Sequence, residues 1–126
     1  MSGTKYLLDT NIVLGILKSS PMVLAELSSR QLLVGECSYS AVTRIELLGF
    51  HGITTEEEST IVRKLESLTY FSLTRDVEDK AIELRRLHKI KLPDAIVAAT
   101  ALCQGVELLT MDQHLLAIMR LVHEPK

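Results

Sequence analysis

Short apolar runs alternate with segments of helical pattern along this chain, and that alternation constrains its fold more than any other feature. Strand-like runs fall at residues 5–8, 31–37, 70–73, 106–110 and 118–123. Between them lie helical segments. The first, residues 10–17, sets Ile12, Val13, Ile16 and Leu17 on one side. Pro21 suits the first turn of a second, running to about residue 30 with Ser20 as its cap. Ser40 caps a third, to about residue 50, with Val42, Ile45 and Leu48 inward. Thr55 and Glu58 have capping-box spacing and open a fourth, to about residue 68. Thr74 caps a fifth, with Val77, Ala81 and Leu84 inward. Pro93 opens a sixth at residues 93–104, and Gly105 stops it in the left-handed position. Residues 111–117 read as a helical turn. Strands that alternate with helices pair in parallel, so the pattern predicts an α/β fold with a mostly parallel sheet and helices on both faces.

The 126 residues are the length of one domain, taken here as 1–126. A chain of this size buries roughly 65–70 % of its unfolded surface, enough to dispense with disulfides or a structural metal. Cys37 and Cys103 stand alone in apolar stretches, which suits a reducing cytoplasm. The opening Met-Ser-Gly-Thr-Lys-Tyr is too soon polar for a signal peptide, and no apolar run approaches a membrane span. A cytoplasmic protein without membrane contact is expected. Net charge is −2, which argues against a general polyanion binder. A cation on the acids discussed next would leave the rest of the surface mildly basic.

In an open parallel sheet the binding crevice lies at the carboxyl ends of the strands. Asp9 closes the first run, Asp112 follows the 106–110 run by two residues, and Asp94 stands in the first turn of the helix opened by Pro93. Glu46 interrupts the apolar Ile45-Glu46-Leu47-Leu48, where a buried carboxylate is costly unless paired or metal-bound. Each acid also has an ordinary local use. Asp9 suits a helix cap, Asp94 a helix N-terminus, Asp112 a turn, and Glu46 an ion pair with Arg44 or Lys64 or a position facing water. The set favours a site. Carboxylates without histidine or cysteine partners select hard cations such as Mg²⁺ or Mn²⁺. His51, His88, His114 and His123 have no zinc spacing. Asn11, Ser40 and Thr110 supply neutral oxygens that could hold the carboxylates in place, or serve as ordinary caps and turns. The chain has no GxxxxGK[ST], GxGxxG or GxSxG, so nucleotide-binding and serine-hydrolase chemistry lose their usual handles.

Four ordered stretches resemble the PIN-domain family, especially VapC-type toxins. They are Leu7-Leu8-Asp9-Thr10-Asn11; Ser40 to Gly49 with Glu46; Leu92-Pro93-Asp94-Ala95 to Ala101 with its small-residue face; and Leu108-Leu109-Thr110-Met111-Asp112. Met111 and Leu115 stand where such proteins often carry Arg or Asn, and Phe; neither position is a metal ligand. The resemblance implies a PIN-like three-layer α/β/α fold and a Mg²⁺- or Mn²⁺-dependent endoribonuclease. Asp9, Glu46, Asp94 and Asp112 would be its metal-binding and catalytic acids, and its products would have 5′-phosphate and 3′-hydroxyl ends. It also implies a homodimer, and a small antitoxin whose C-terminal segment blocks the site.

The first two helices, with Met22, Val23, Leu24 and Leu27, offer an apolar face for a dimer or for the core. The basic run carrying Arg85, Arg86, Lys89 and Lys91 precedes Asp94 and could guide an RNA backbone, or simply solvate a helix end. A catalytically inactive PIN-like protein-binding module is the main rival. A phosphorylated receiver lacks its paired early acids and its lysine after the 106–110 run. A structure-specific DNA nuclease lacks room for a clamp.

Overall fold

The computed structural model describes residues 3–123, and of His123 the backbone alone. In chain order the elements are β1 (Tyr6–Leu8), α1 (Thr10–Leu17), α2 (Pro21–Ser29), β2 (Cys37–Ser40), α3 (Ala41–Leu48), α4 (Thr55–Glu66), β3 (Thr69–Phe71), α5 (Arg75–Leu87), α6 (Leu92–Gln104), β4 (Glu107–Leu109) and α7 (Gln113–His123). The strands form one sheet in the order β3-β2-β1-β4, every pairing parallel. This is the α/β/α arrangement that the alternation predicts.

Successive strand residues face opposite sides, and the register carries that rule across the sheet. Leu7 pairs with Leu108 and Leu8 with Leu109. Leu7 and Leu108 join a core with Val77, Leu84, Ala95, Ala98 and Leu115, from α5, α6 and α7. Leu8 and Leu109 join a second core with Ile12, Val23, Leu47, Ile61 and Leu65, from α1 to α4. The sheet therefore separates two apolar layers, each covered by helices.

Gly15 on α1 lets α2 approach closely: a Cβ there would lie 2.4 Å from Val23 Cγ2. No single helix among the described residues is long and apolar enough to cross a membrane. The apolar α1–α2 pair is bent by 110° and sends Ile12, Val13 and Val23 into the core. Met22 and Leu24 remain exposed, so the apolar face of α2 is divided between core and surface.

Several expectations need correction. The 31–37 run is not a strand. Leu33 and Val34 are exposed, Val34–Glu36 is a 3-10 turn, and the strand is Cys37–Ser40. The capping box sits one residue earlier than its spacing suggested: Thr54 accepts from the Glu57 backbone and Glu57 accepts from the Thr54 backbone. The last run is no strand either, because residues 113–123 form the single helix α7. Its buried Leu115, Ile118 and Met119 have the i, i+3, i+4 spacing of one helix face. On α3 the inward residues are Val42, Thr43 and Leu47, while Ile45 is 67 % exposed. Gly105, by contrast, adopts φ 66° and closes α6 as expected.

Candidate functional site

Asp9 follows β1 directly and is buried, at 8 % exposure. Its backbone N–H donates to Leu109 O at 2.9 Å, tying it to the end of β4. Its side chain divides its work. Oδ1 accepts from the Thr10 backbone at 2.8 Å and caps α1. Oδ2 accepts from the Thr110 hydroxyl at 2.7 Å and from Asn11 Nδ2 at 3.3 Å. The capping use is thus real, and the same residue stands at the carboxyl end of β1. Burial pushes the Asp9 carboxyl above its ordinary value; bonds from Thr110 and Thr10 pull it back, and Glu46 and Asp112 push it up further.

Thr110 and Asn11 form the brace around Asp9. The Thr110 oxygen accepts from Asn11 Nδ2 at 3.2 Å and from the Asp112 backbone N–H at 3.1 Å. Asn11 Oδ1 accepts from the Met111 backbone N–H at 3.1 Å. Ser40 does something else: buried at 1 % exposure, it caps α3 by accepting from the Thr43 backbone. It makes no bond to the acids.

Asp94 stands in the first turn of α6, half-buried, at the helix end that favours negative charge. Its carboxyl is also raised, first by burial, then by Asp112, Asp9 and, more weakly, Glu46; Lys91 opposes them. Asp112 caps α7, Oδ1 accepting from the Leu115 backbone at 3.1 Å. Glu46 corrects the reading of a buried α3 carboxylate, since it is exposed. It accepts from the Thr10 hydroxyl at 2.6 Å.

Carboxylates from four separate segments therefore share one electrostatic field at the carboxyl end of a parallel sheet. Among the described residues, no three acidic, histidine or cysteine side chains are gathered as a ready-made metal cluster. Asp9 is bonded to Thr110, Glu46 to Thr10 and Asp112 to the Leu115 backbone. The donors are nonetheless oxygens throughout, the chemistry a hard cation selects. Thr10 and Thr43, whose hydroxyls lie 3.0 Å apart, belong to this arrangement and were not singled out from the sequence. The available signal was a hydroxyl residue one helical turn before Glu46.

Arg85, Arg86, Lys89 and Lys91 are exposed, at the end of α5 and along the link to α6. His114 on α7 bonds the Lys89 carbonyl at 2.8 Å and fastens this link to the site's side. From Thr10 and Glu46 a groove of about 660 Å³ runs between α1, α3 and α4, with Leu14, Leu47, Phe50 and Ile61 among its walls.

A parallel α/β/α sheet with acids at its carboxyl edge defines a class, and the sequence identifies the family within it. The PIN domain model matches residues 6–121, so the chain belongs to the PIN domain family. No curated protein sequence matches the chain significantly. Among solved structures, a toxin–antitoxin complex from Klebsiella pneumoniae is similar at TM-score 0.75 and 25 % identity, over 86 % of this chain and 87 % of that one. VapBC2 from Rickettsia felis, bound to a promoter DNA fragment, matches at 0.75 and 20 %, over 91 % and 93 %. FitAcB from Neisseria gonorrhoeae matches at 0.74 and 24 %, over 91 % and 93 %. The fold is that of VapC-type PIN proteins.

Proposed function

We propose that the chain is a single-domain, metal-dependent endoribonuclease and the toxin of a toxin–antitoxin pair. One observation carries this reading: hydrogen bonds draw acids of distant segments together, Thr110 joining Asp9 to the Asp112 backbone and Thr10 joining Asp9 to Glu46, while Asp94 at the head of α6 feels the charge of all three. Such repulsion disfavours the fold unless a cation offsets it. The all-oxygen donor set fits Mg²⁺ or Mn²⁺, with Asp9, Glu46 and Asp94 as principal ligands and Asp112 completing the set. A bound cation supplies an acidified water and a polarised phosphoryl oxygen for phosphodiester hydrolysis.

The protein's own contribution is orientation. Thr110 and Asn11 fix the Asp9 carboxylate, and the α6 N-terminus steadies Asp94. Arg85, Arg86, Lys89 and Lys91 draw the RNA backbone toward the acids by charge. The groove beside Glu46 offers an antitoxin segment an apolar seat that ends at the site. Exposed Met22 and Leu24 support pairing with a second copy. Free Cys37 and Cys103 suit a cytoplasmic setting. The same groove also favours the second reading, an inactive module that only binds protein.

Incubation with total bacterial RNA distinguishes them. Mg²⁺- or Mn²⁺-dependent discrete fragments, absent with chelator and absent from Asp94→Asn, are expected. Uncut RNA with cation bound would favour the protein-binding module. Uncut RNA with no cation bound would sink the mechanism.

A further inference from the structure

Thr10 touches two of the acids at once. Its backbone N–H donates to Asp9 Oδ1 at 2.8 Å, and its hydroxyl lies 2.6 Å from Glu46 Oε1. The same hydroxyl lies 3.0 Å from that of Thr43. A hydroxyl has one proton, and an ionised carboxylate only accepts. The Thr10 proton must therefore go to Glu46, and the Thr10 oxygen must accept from Thr43. Thr43 is a rigid source for that bond, fully buried in the first turn of α3 and bonded through its backbone N–H to Ser40 Oγ. Glu46 has no such anchorage of its own. It is an exposed side chain, and its charge and that of Asp9 repel each other.

We infer that Thr43 and Thr10 form a directed hydroxyl relay that positions the Glu46 carboxylate beside Asp9 and so sets the affinity for a divalent cation. Both threonines are positioning residues, because they act through Glu46. The inference rests on the metal-dependent reading of the site. It adds that α1 and α3 each contribute a hydroxyl whose value lies in its direction. Thr10→Val keeps shape and removes the donor, Thr10→Ser keeps the donor, and Thr43→Val removes only the group that orients Thr10.

The test is Mn²⁺ titration of the whole chain by calorimetry, with the metal-free melting temperature of each variant. Thr10→Val is expected to weaken Mn²⁺ binding about tenfold, the size usual for groups that orient ligands. Thr10→Ser should bind as the unaltered chain does, and Thr43→Val should fall between. A metal-free Tm that does not follow this order places the effect at the site. Equal affinity in Thr10→Val overturns the inference, as does Thr10→Ser binding as weakly as Thr10→Val. Should Thr10→Val fail to fold, Thr43→Val decides, and unchanged affinity there overturns it. Failure of the unaltered chain to bind Mn²⁺ overturns the metal reading itself, a result distinct from equal binding by chain and variant.

Discussion

The Thr110 hydroxyl donates to Asp9 Oδ2 at 2.7 Å, joining the ends of the neighbouring strands β4 and β1 through a buried carboxylate. This bond pulls the Asp9 carboxyl down against the upward push of burial. Thr110→Val keeps the shape and deletes the donor. At neutral pH it is expected to destabilise the metal-free protein by about 1.5–3 kcal/mol, the range for a hydrogen bond to a charged group. The Asp9 pKa should rise further. Denaturant unfolding gives the first quantity, and carboxyl-carbon NMR titration the second. A Thr110→Val protein with unchanged stability and an unmoved Asp9 would refute the bracing role.

Asp9 and Asp94 both have carboxyls raised above the ordinary 3.8, burial being the largest cause in each. The folded state then holds these protons more tightly than the unfolded state does. Stability from this source is complete below the ordinary value and is lost as pH rises through the raised ones. The metal-free Tm of the unaltered chain should therefore fall, relative to Asp9→Asn, as pH climbs from about 3.8 upward. Salt-bridged Glu36, whose carboxyl is lowered, acts in the opposite direction in both proteins and drops out of the comparison. Parallel Tm–pH curves for the two would show that Asp9 carries no such linkage.

Legibility from sequence follows how each element is stabilised. The positions of two acids could be read because strand ends and helix heads are local features: Asp9 follows β1 and Asp94 stands in the first turn of α6. Strand β2 could not, because Cys37-Ser38-Tyr39-Ser40 is partly polar yet wholly buried. Its Ser38 hydroxyl is satisfied by Tyr6 O at 2.7 Å, a partner on another strand. The neighbouring Leu32-Leu33-Val34 is more apolar and drew the assignment instead. At the other end, Ile118, Met119, Leu121 and Val122 form an apolar cluster that suits a strand or a helix equally by composition. The apolar neighbours of Glu46 suggest a buried carboxylate, but the exposed Ile45 shows that α3 turns this side to solvent. The Thr10–Thr43 contact depends on how α1 crosses α3, which no local pattern encodes.

A cation that binds only the folded state should relieve the repulsion among the acids. At a hundredfold excess over its dissociation constant it stabilises by about 2.7 kcal/mol. For a domain of this size that corresponds to a Tm rise on the order of 10 °C. Differential scanning fluorimetry with Mg²⁺, Mn²⁺ and chelator measures it. Asp94→Asn should raise the metal-free Tm slightly, by about 1–2 °C, since its partly exposed carboxylate is screened by water. The same variant should lose most of the cation-dependent rise. Melting curves indifferent to both cations would count against a metal site.

The close approach of α1 and α2 rests on Gly15. A Cβ there would meet Val23 Cγ2 at 2.4 Å and Val23 Cβ at 2.8 Å. The second atom lies near the backbone, so no rotation of Val23 removes the conflict and α2 itself must move. Val23 is buried at 4 % exposure, and α1 begins at Thr10, beside Asp9. Gly15→Ala is expected to cost about 1–3 kcal/mol of stability, the usual penalty for overpacking. The gain in helix propensity from Ala, about 1 kcal/mol, offsets only part of a larger strain. Combining it with Val23→Ala should cost less than the two single changes added together, because losing the two γ-methyls removes the closest conflict, although the Cβ contact stays. Chemical unfolding of both single variants and the double variant measures this coupling. Strict additivity would mean that the α1–α2 contact does not constrain Gly15.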